Sequence, residues 1–266
     1  MDSRPIGVFD SGVGGLSAVR VLRALLPGED ILYFGDTANV PYGGKSGEEL
    51  RSLASASSRL LAGKGAKALL VACGTVSSNC LEVVGRASGL PCCGVLRGAA
   101  LRACNTTRNG RVGVLSTEAT ARSGAFEREI RALRPELAVF SFGTSRLVPL
   151  AEAGRTEYSD SLVREAVEDA AARFSGSGID TLILGCTHFP LLAPALARAF
   201  EGVRLIDSGE TGAGEFMGLL RARGLLSAKK RGGRVTAFVS GGIESFERSA
   251  GLFLPGGLDD IRAVDA

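Results

Sequence analysis

The sequence lacks the features that mark several classes of protein. Its 266 residues include no tryptophan and a single histidine, and 31 basic residues stand against 28 acidic ones. These charges are spread along the chain, so no basic stripe indicates a nucleic-acid surface. No run approaches the roughly 20 apolar residues of a membrane span, and the first residues contain no apolar segment of signal-peptide length. We therefore expect a cytoplasmic protein with neither nucleic-acid nor membrane partners.

Close-spaced ligand and phosphate motifs are also missing. The six cysteines include no CxxC pair, which favours reduced thiols over a disulfide framework, a redox motif or a zinc site. The glycine-rich segment DSGVGG at 10–15 fits neither GxGxxG nor GxxxxGK[ST]. We expect no metal and no cofactor. Four cysteines are interpreted as small core residues: Cys80, Cys92, Cys93 and Cys104.

Short apolar runs alternate with helical stretches along the chain. Strands are predicted at 6–9, 31–34, 68–72, 111–115, 181–185, 203–206 and 235–239. Helices are predicted at 46–62, where Ser46 and Glu49 form a capping box, and at 159–174. This alternation predicts an α/β fold of mostly parallel sheets flanked by helices on both faces.

Two pairs of related segments indicate a chain with two lobes. FDSG at 9–12 is repeated as IDSG at 206–209, and LLVACGT around Cys73 is paired with LILGCTH around Cys186. A length of 266 residues also favours two domains. We predict two similar lobes with the active site between them. The first, residues 1–95 plus 209–266, carries Cys73, and the second, residues 96–208, carries Cys186.

Polar and reactive residues follow several predicted strands directly. They are Asp10, Ser11, Asp36, Cys73 and Cys186. Ligands of open α/β sheets bind at the carboxyl ends of the strands, so this edge is the predicted active-site side. At each of the two cysteines, amides of the following helix are expected to favour a thiolate. Asp10 either reaches a ligand or caps the helix that follows it.

Two further features lie near these strand ends. The segment GDTANVPYGGKS at 35–46 is either a ligand-contacting loop, with amides after Pro41 that can hold a carboxylate, or a plain turn. The only histidine, His188, lies two residues after Cys186. A lone histidine is usually structural, but an imidazole beside a thiol can tune or protonate it near neutral pH.

Taken together, the motifs resemble those of the glutamate racemases. They are FDSGVGG, YFGDTANVPYG, CNTTRNGRVGVLSTEATARSG, LILGCTHFPLL and IDSGE, which span residues 6–210, with a weaker match in FVSGGIESFERSAGLFL. The resemblance implies an isomerase that interconverts L- and D-glutamate without a cofactor and supplies D-glutamate for peptidoglycan, and so for the cell wall and cell shape. It also implies a homodimer.

The resemblance assigns roles to particular residues. Cys73 would take the α-proton from D-glutamate and Cys186 from L-glutamate, with Asp10 assisting the first thiol, and Glu152 and His188 the second. Inversion at Cα without a cofactor needs one acid–base group on each face, which agrees with two thiols. The implied substrate-contacting residues are Asp10, Ser11, Pro41, Tyr42, Gly43, Gly74, Thr75, Thr117, Thr120, Thr187 and His188.

The chain departs from the family pattern at three places. Gly74 replaces the usual asparagine of CNT, residues 96–98 replace a Glu-Pro pair, and residues 144–146 replace Cys-Pro-Leu. Loss of one amide hydrogen bond to a charged substrate costs about 1.5 to 3 kcal/mol unless another group fills the gap. A racemase of aspartate or another acidic amino acid, and a noncatalytic ligand-binding protein on the same fold, are the alternatives.

Overall fold

Strands and helices alternate along the whole chain. The structure is a computed structural model that describes residues 2–265. Its strands are β1 (Ile6–Asp10), β2 (Ile31–Gly35), β3 (Leu69–Val71), β4 (Cys92–Cys93), β5 (Arg111–Ser116), β6 (Ala138–Gly143), β7 (Thr181–Leu184), β8 (Arg204–Asp207), β9 (Val235–Val239) and β10 (Asp260–Ala263). Its helices are α1 (Leu16–Leu25), α2 (Gly47–Gly63), α3 (Gly74–Asn79), α4 (Leu81–Ser88), α5 (Leu96–Thr106), α6 (Glu118–Ser123), α7 (Ala125–Leu133), α8 (Leu147–Glu152), α9 (Ser161–Ala172), α10 (Ala193–Ala199), α11 (Ser208–Ala222) and α12 (Ile243–Phe253).

The strands form two parallel sheets. The six-stranded sheet has the order β10-β9-β2-β1-β3-β4, and the four-stranded sheet has the order β6-β5-β7-β8. Every pairing within them is parallel. The predicted α/β class is confirmed. We use "first lobe" for the part built on the six-stranded sheet and "second lobe" for the part built on the four-stranded sheet.

All seven predicted strands form, and three further strands were missed. β4 has two residues, β6 is half-buried along its whole length, and β10 carries the charged residues Asp260 and Arg262 at a sheet edge. None of them shows the fully buried run that marks β1, β3 and β7. Both predicted helices form, and the capping box at α2 is confirmed. The Ser46 hydroxyl accepts the Glu49 N–H, and the Glu49 carboxylate accepts the Ser46 N–H.

The first sheet is covered on both faces, as predicted. Side chains of β1 alternate, so Val8 packs in one hydrophobic cluster with residues of α1, α11 and α12, whereas Phe9 packs in another with residues of α2 and α4. Both side chains are fully buried, and each such burial contributes about 1.5 to 3 kcal/mol. The sheet is therefore fixed between two helical layers, and its strand ends are the part left free for chemistry.

Two helices join the lobes. α5 packs against α7, α11 and β7, and α11 packs against α1, β3 and β8. A Cβ added to Gly98 on α5 would lie 2.6 Å from the carbonyl oxygen of Thr211 on α11, so this departure from the family pattern permits a close helix contact. The lobe boundaries at 95/96 and 208/209 stay a prediction. Among residues 2–265, no helix has the length and apolar character needed to cross a membrane.

Candidate active site

Cys73 and Cys186 lie at strand ends that meet across the two lobes. Cys73 follows β3 and is the N-cap of α3, whereas Cys186 follows β7 after one glycine. A Cβ added to Gly74 would lie 2.3 Å from the carbonyl oxygen of Gly185, so the backbone next to one cysteine touches the backbone next to the other. Both thiols are buried, with exposed fractions of 5% and 7%. The structure thus brings the two cysteines of the distant motifs to one place.

The surroundings of Cys73 favour a protonated thiol. Burial and the neighbouring Asp10 carboxylate raise the pKa of Cys73 to about 12, although the Val76 N–H and the Ser11 hydroxyl oppose this. The sulfur lies 3.7 Å from the Ser11 hydroxyl. An amide of the following helix, the Val76 N–H, does favour the thiolate as expected, but it does not determine the protonation state. Loss of hydration and a nearby negative charge outweigh the amides of the six-residue helix α3.

Asp10 uses one carboxylate oxygen to shape its loop and leaves the other unpaired. Oδ2 accepts the N–H groups of Gly12 at 3.2 Å and of Gly15, the N-cap of α1, at 3.1 Å. Within residues 2–265, Oδ1 has no hydrogen-bond partner, although Asp10 is fully buried. Burial raises the pKa of this carboxyl, against the opposing charge of His188 and the loop amides. Asp10 therefore holds the loop before α1 and is not the cap of that helix, whose N-cap is Gly15. The interpretation of Asp10 as a ligand contact stays a prediction, and Oδ1 is the atom available for it.

His188 connects Cys186 to Glu152. Nε2 lies 2.9 Å from Glu152 Oε1, and Nδ1 lies 3.8 Å from Cys186 Sγ and 3.4 Å from Thr187 Oγ1. Burial lowers the pKa of His188, but the hydrogen bonds to Cys186 and Glu152, together with the charges of Cys186 and Asp10, raise it to about 10. The imidazole is therefore protonated at neutral pH. Its Nδ1–H is available to the sulfur of Cys186.

A chain of hydroxyl groups crosses between the lobes beside the cysteines. Thr75 Oγ1 on α3 lies 3.0 Å from Thr117 Oγ1, which donates to Thr120 Oγ1 at 3.0 Å. Thr117 is the N-cap of α6 in the second lobe. Thr120 Oγ1 lies 3.9 Å from the position that a Cβ on Gly74 would occupy. Three of the predicted substrate-contacting residues, Thr75, Thr117 and Thr120, thus form one row of hydroxyl groups next to Gly74, which we call the hydroxyl row.

The loop at 35–46 is shaped by internal hydrogen bonds. Asp36 accepts the hydroxyl of Tyr42 at 2.5 Å and the hydroxyl of Ser240 at 2.6 Å. Asp36 therefore holds the loop, and Tyr42 is buried in it. A Cβ added to Gly43 would lie 3.5 Å from Thr117 Cβ, so the Pro41–Gly43 turn reaches the second lobe at the hydroxyl row.

Sequence reasoning missed contacts that cross between the lobes. A Cβ on Gly14 would lie 2.7 Å from His188 Nδ1 and 2.4 Å from Thr187 Oγ1. The ring of Phe253, at the end of α12, lies against the ring of His188. The glycine-rich composition of residues 10–15 was a signal for close approach, but it did not name the partner. No local pattern indicated Phe253.

Residues 144–146, the third departure from the family pattern, lie on the surface of the second lobe. Arg146 is exposed and forms ion pairs with Glu165 at 2.7 Å and Asp169 at 3.9 Å on α9. Its backbone N–H is donated to the hydroxyl of Thr144. Within residues 2–265, no cluster of three or more histidine, cysteine or acidic side chains is arranged to hold a metal ion.

Known proteins are similar to this chain in both sequence and structure. The sequence model of the family described as Asp/Glu/Hydantoin racemase matches residues 17–215. The glutamate racemase of Chlorobium phaeobacteroides is 41% identical over 263 residues, 98% of this chain and 96% of that one. A crystal structure of glutamate racemase from Francisella tularensis in complex with D-glutamate has a TM-score of 0.92 and 31% identity, with 99% and 98% of the two chains covered. The Escherichia coli enzyme in complex with L-glutamate and the activator UDP-MurNAc-Ala has a TM-score of 0.80 and 29% identity, with 98% of each chain covered.

The relative and the solved structures match nearly the whole chain, and the family model matches residues 17–215, a range that includes both cysteine motifs. The resemblance stated from the motifs is thereby confirmed. This chain belongs to the Asp/Glu/Hydantoin racemase family.

Proposed function

We propose that this protein interconverts L- and D-glutamate without a cofactor, with Cys73 and Cys186 as the two acid–base groups. The observation that carries the proposal is the pair of buried thiols at touching strand ends, each beside its own titratable partner. Asp10 lies beside Cys73, and His188 lies beside Cys186. The relatives named glutamate racemase, one of them bound to D-glutamate and another to L-glutamate, support the choice of substrate.

The protonation states of the site favour one starting direction. Cys73 holds its proton at neutral pH because burial raises its pKa to about 12. Cys186 takes the α-proton of L-glutamate, so that the Cα–H bond breaks and an S–H bond forms. Cys73 then gives its own proton to the opposite face of Cα, which yields D-glutamate. The reverse reaction starts with the proton on Cys186, and Asp10 and His188 assist the two sulfurs.

The substrate carries one ammonium and two carboxylate groups, and the site offers partners for both charges. The unpaired Oδ1 of buried Asp10 is the proposed acceptor for the ammonium group. Proposed donors to the carboxylates are hydroxyl groups and backbone amides, which also stabilise the negative charge that develops as the α-proton leaves. They belong to Ser11, Tyr42, Gly43, Gly74, Thr75, Thr117, Thr120 and Thr187, with Pro41 setting the turn that presents its neighbours.

The hydroxyl row is the proposed replacement for the asparagine that the family usually carries at position 74. Thr120 Oγ1 lies 3.9 Å from the Cβ position of residue 74, and Thr75 lies next to it in sequence. A hydroxyl at this place can donate the hydrogen bond that the missing amide would have made. A hydrogen bond from the hydroxyl row would thus hold the substrate, and we expect the protein to be active despite Gly74.

The wider role follows the resemblance. We propose that the D-glutamate serves peptidoglycan synthesis in the cytoplasm and that the protein is a homodimer. Sedimentation of the purified chain at several concentrations tests the dimer, and a single species of 27.4 kDa throughout would refute it.

The test is exchange of the α-proton in D2O. Wild-type protein is incubated with L- or D-glutamate and no added cofactor, and both the α-proton signal and the enantiomer ratio are followed. Cys73→Ser and Cys186→Ser should each lose on the order of 100- to 10,000-fold in racemisation, the range of general acid–base catalysis. Cys92→Ser is the matched control, because Cys92 is half-buried on β4 outside the site.

Three outcomes would contradict the proposal. Undiminished racemisation in both serine variants would remove the thiols from the reaction. Turnover of aspartate and not of glutamate would make the protein a racemase of another acidic amino acid. Thermal stabilisation by glutamate without any α-proton exchange in the wild type would identify a noncatalytic binding protein.

A further inference from the structure

The ring of His188 is held from the first lobe by an aromatic side chain that the proposed reaction does not use. Phe253 is the last residue of α12, and it is 1% exposed. The centroids of the two rings are 5.3 Å apart, and their planes meet at 81°. This is the edge-to-face arrangement that aromatic pairs favour. We propose that Phe253 is a positioning residue, which fixes the orientation of the His188 ring against Cys186.

The imidazole needs such a constraint because its other contacts do not define one orientation. Rotation of a histidine ring about its last side-chain bond has broad energy minima. Two acceptors lie near Nδ1, the Thr187 hydroxyl at 3.4 Å and the Cys186 sulfur at 3.8 Å. On the other side, the Glu152 side chain is 44% exposed, so water competes for the hydrogen bond to Nε2. A ring held by Glu152 alone could turn Nδ1 away from the sulfur.

Phe253 is well placed to prevent this rotation because it is anchored in a core. It belongs to a buried hydrophobic cluster together with Phe246 and Ala250 of the same helix. On another side of the imidazole lies the backbone of Gly14, where a Cβ would come within 2.7 Å of Nδ1. The His188 ring therefore contacts two fixed parts of the first lobe, whereas its polar partners belong to the second lobe.

The charged and titratable groups that act on the pKa of His188 belong to other elements than α12. They are Cys186 and Glu152 in the second lobe and Asp10 at the end of β1. From α12 the ring meets Phe253, which has no charge. Phe253 therefore acts on the geometry of the His188–Cys186 pair without titrating itself.

This inference rests on the proposed two-thiol reaction and concerns one side of it. The equilibrium constant between enantiomers is one, so kcat/KM must fall equally in the two directions when any variant is impaired. The isotope effects with each enantiomer instead show which cysteine's proton transfer is slowed. If Phe253 serves Cys186, its loss should slow the proton transfer that Cys186 makes with L-glutamate and leave the transfer at Cys73 unchanged.

The experiment compares Phe253→Leu with Phe246→Leu. Phe246 is on the same helix, is 2% exposed and packs against Tyr33 with ring centroids 6.1 Å apart, so it is a matched control. Phe253→Leu should lower kcat/KM roughly tenfold, as a small misplacement of a catalytic group does. The deuterium isotope effect on kcat/KM should rise for α-deuterated L-glutamate and not for the D-enantiomer. Phe246→Leu should change neither.

The imidazole itself gives a second readout. His188 is the only histidine in the sequence, so the chain without a histidine tag shows one imidazole signal by NMR. Leucine keeps the site apolar but releases the ring, so Phe253→Leu should lose the hydrogen bond to Cys186 that raises the pKa of His188. Its titration midpoint should therefore move to lower pH, whereas Phe246→Leu should keep the wild-type midpoint.

Several results would overturn the inference. Wild-type kcat/KM and a wild-type His188 midpoint in Phe253→Leu would do so, as would the same changes in both leucine variants. If Phe253→Leu does not fold, Phe253→Met, which is close in volume but has no ring, takes its place under the same criteria. If the wild type does not act on glutamate, the proposed function fails, and the NMR titration still decides whether Phe253 orients His188.

Discussion

Gly74→Ala is the substitution that most directly tests how closely the two lobes approach at the cysteines. The added Cβ would lie 2.3 Å from the Gly185 carbonyl oxygen, whereas ordinary contacts of a Cβ begin at 3.4 Å. The obstacle is backbone at the end of β7, so no side-chain rotation relieves it. The segments that carry Cys73 and Cys186 must then move apart by about 1 Å, a misplacement that costs on the order of 100-fold in rate.

The expected loss can be stated for activity and for stability separately. A 100-fold loss of kcat/KM corresponds to about 2.7 kcal/mol of transition-state stabilisation. Overpacking of a close contact lowers the free energy of unfolding by about 1 to 3 kcal/mol. Racemisation would be followed by polarimetry or circular dichroism in both directions, and unfolding by urea titration. Gly74→Asn introduces the residue usual in the family, but its Cβ meets the same oxygen, so it should lose activity as well.

Gly218→Ala is the control for the general effect of removing a glycine. Gly218 lies on α11, and no atom of residues 2–265 lies within 4 Å of a Cβ added there. This variant should keep wild-type activity and gain roughly 0.5 to 1 kcal/mol of stability, because alanine is the better helix former. Wild-type kcat/KM in Gly74→Ala, or higher activity in Gly74→Asn than in the wild type, would refute the close approach of Gly74 and Gly185.

Three other substitutions test single features of the structure. Ser46→Ala removes the capping box of α2 and should lower the free energy of unfolding by about 1 kcal/mol in urea, with kcat unchanged. Lys67→Met leaves the carboxylate of Glu29 buried without its ion-pair partner, since their side chains are 0% and 3% exposed, and should cost about 3 to 5 kcal/mol. Glu152→Gln removes the charged partner of His188, so the NMR titration midpoint of that imidazole should fall below the wild-type pKa of about 10. Because the pKa of His188 is raised on folding from 6.5, its contribution to stability is present below pH 6.5 and is lost as the pH rises through about 10, and Glu152→Gln should weaken this pH dependence.

Each of these expectations has a result that would contradict it. Equal stability of Ser46→Ala and the wild type would show that the cap is not formed in solution. The double variant Lys67→Met with Glu29→Gln should recover much of the lost stability, and failure to recover would assign the cost of Lys67→Met to packing. A His188 midpoint that does not move in Glu152→Gln would place the origin of its raised pKa in Cys186 and Asp10.

Much of the fold was readable from local patterns. The runs at 6–9 and 68–72 predicted β1 and β3 because their apolar residues are buried on both faces of a parallel sheet. The capping box at Ser46 was readable because it involves residues three apart. β6 and β10 were not, since β6 is half-buried throughout and includes Ser141, and the four residues of β10 include the charged Asp260 and Arg262.

The candidate site was likewise predictable in part from the sequence. The sequence placed Cys73 and Cys186 after strands, and the fold class placed both strand ends on the side where ligands bind. The protonation of Cys73 could not be read from its position before a helix, because burial and Asp10 determine it. The contact of Phe253 with His188 joins α12 to the second lobe, and no spacing in the chain reports such a contact.

The sequence by itself determined seven of the strands, the capping box of α2 and the two cysteine motifs, because these depend on residues that are neighbours along the chain. Only the tertiary structure decided that Gly74 touches Gly185, that Cys73 keeps its proton and that Phe253 meets His188. Distances, desolvation and charge at the site arise where segments far apart in sequence pack together. In the sequence, Gly74 is a lost asparagine. In the folded protein, the missing side chain leaves room for the backbone of Gly185, so the two lobes approach closely there.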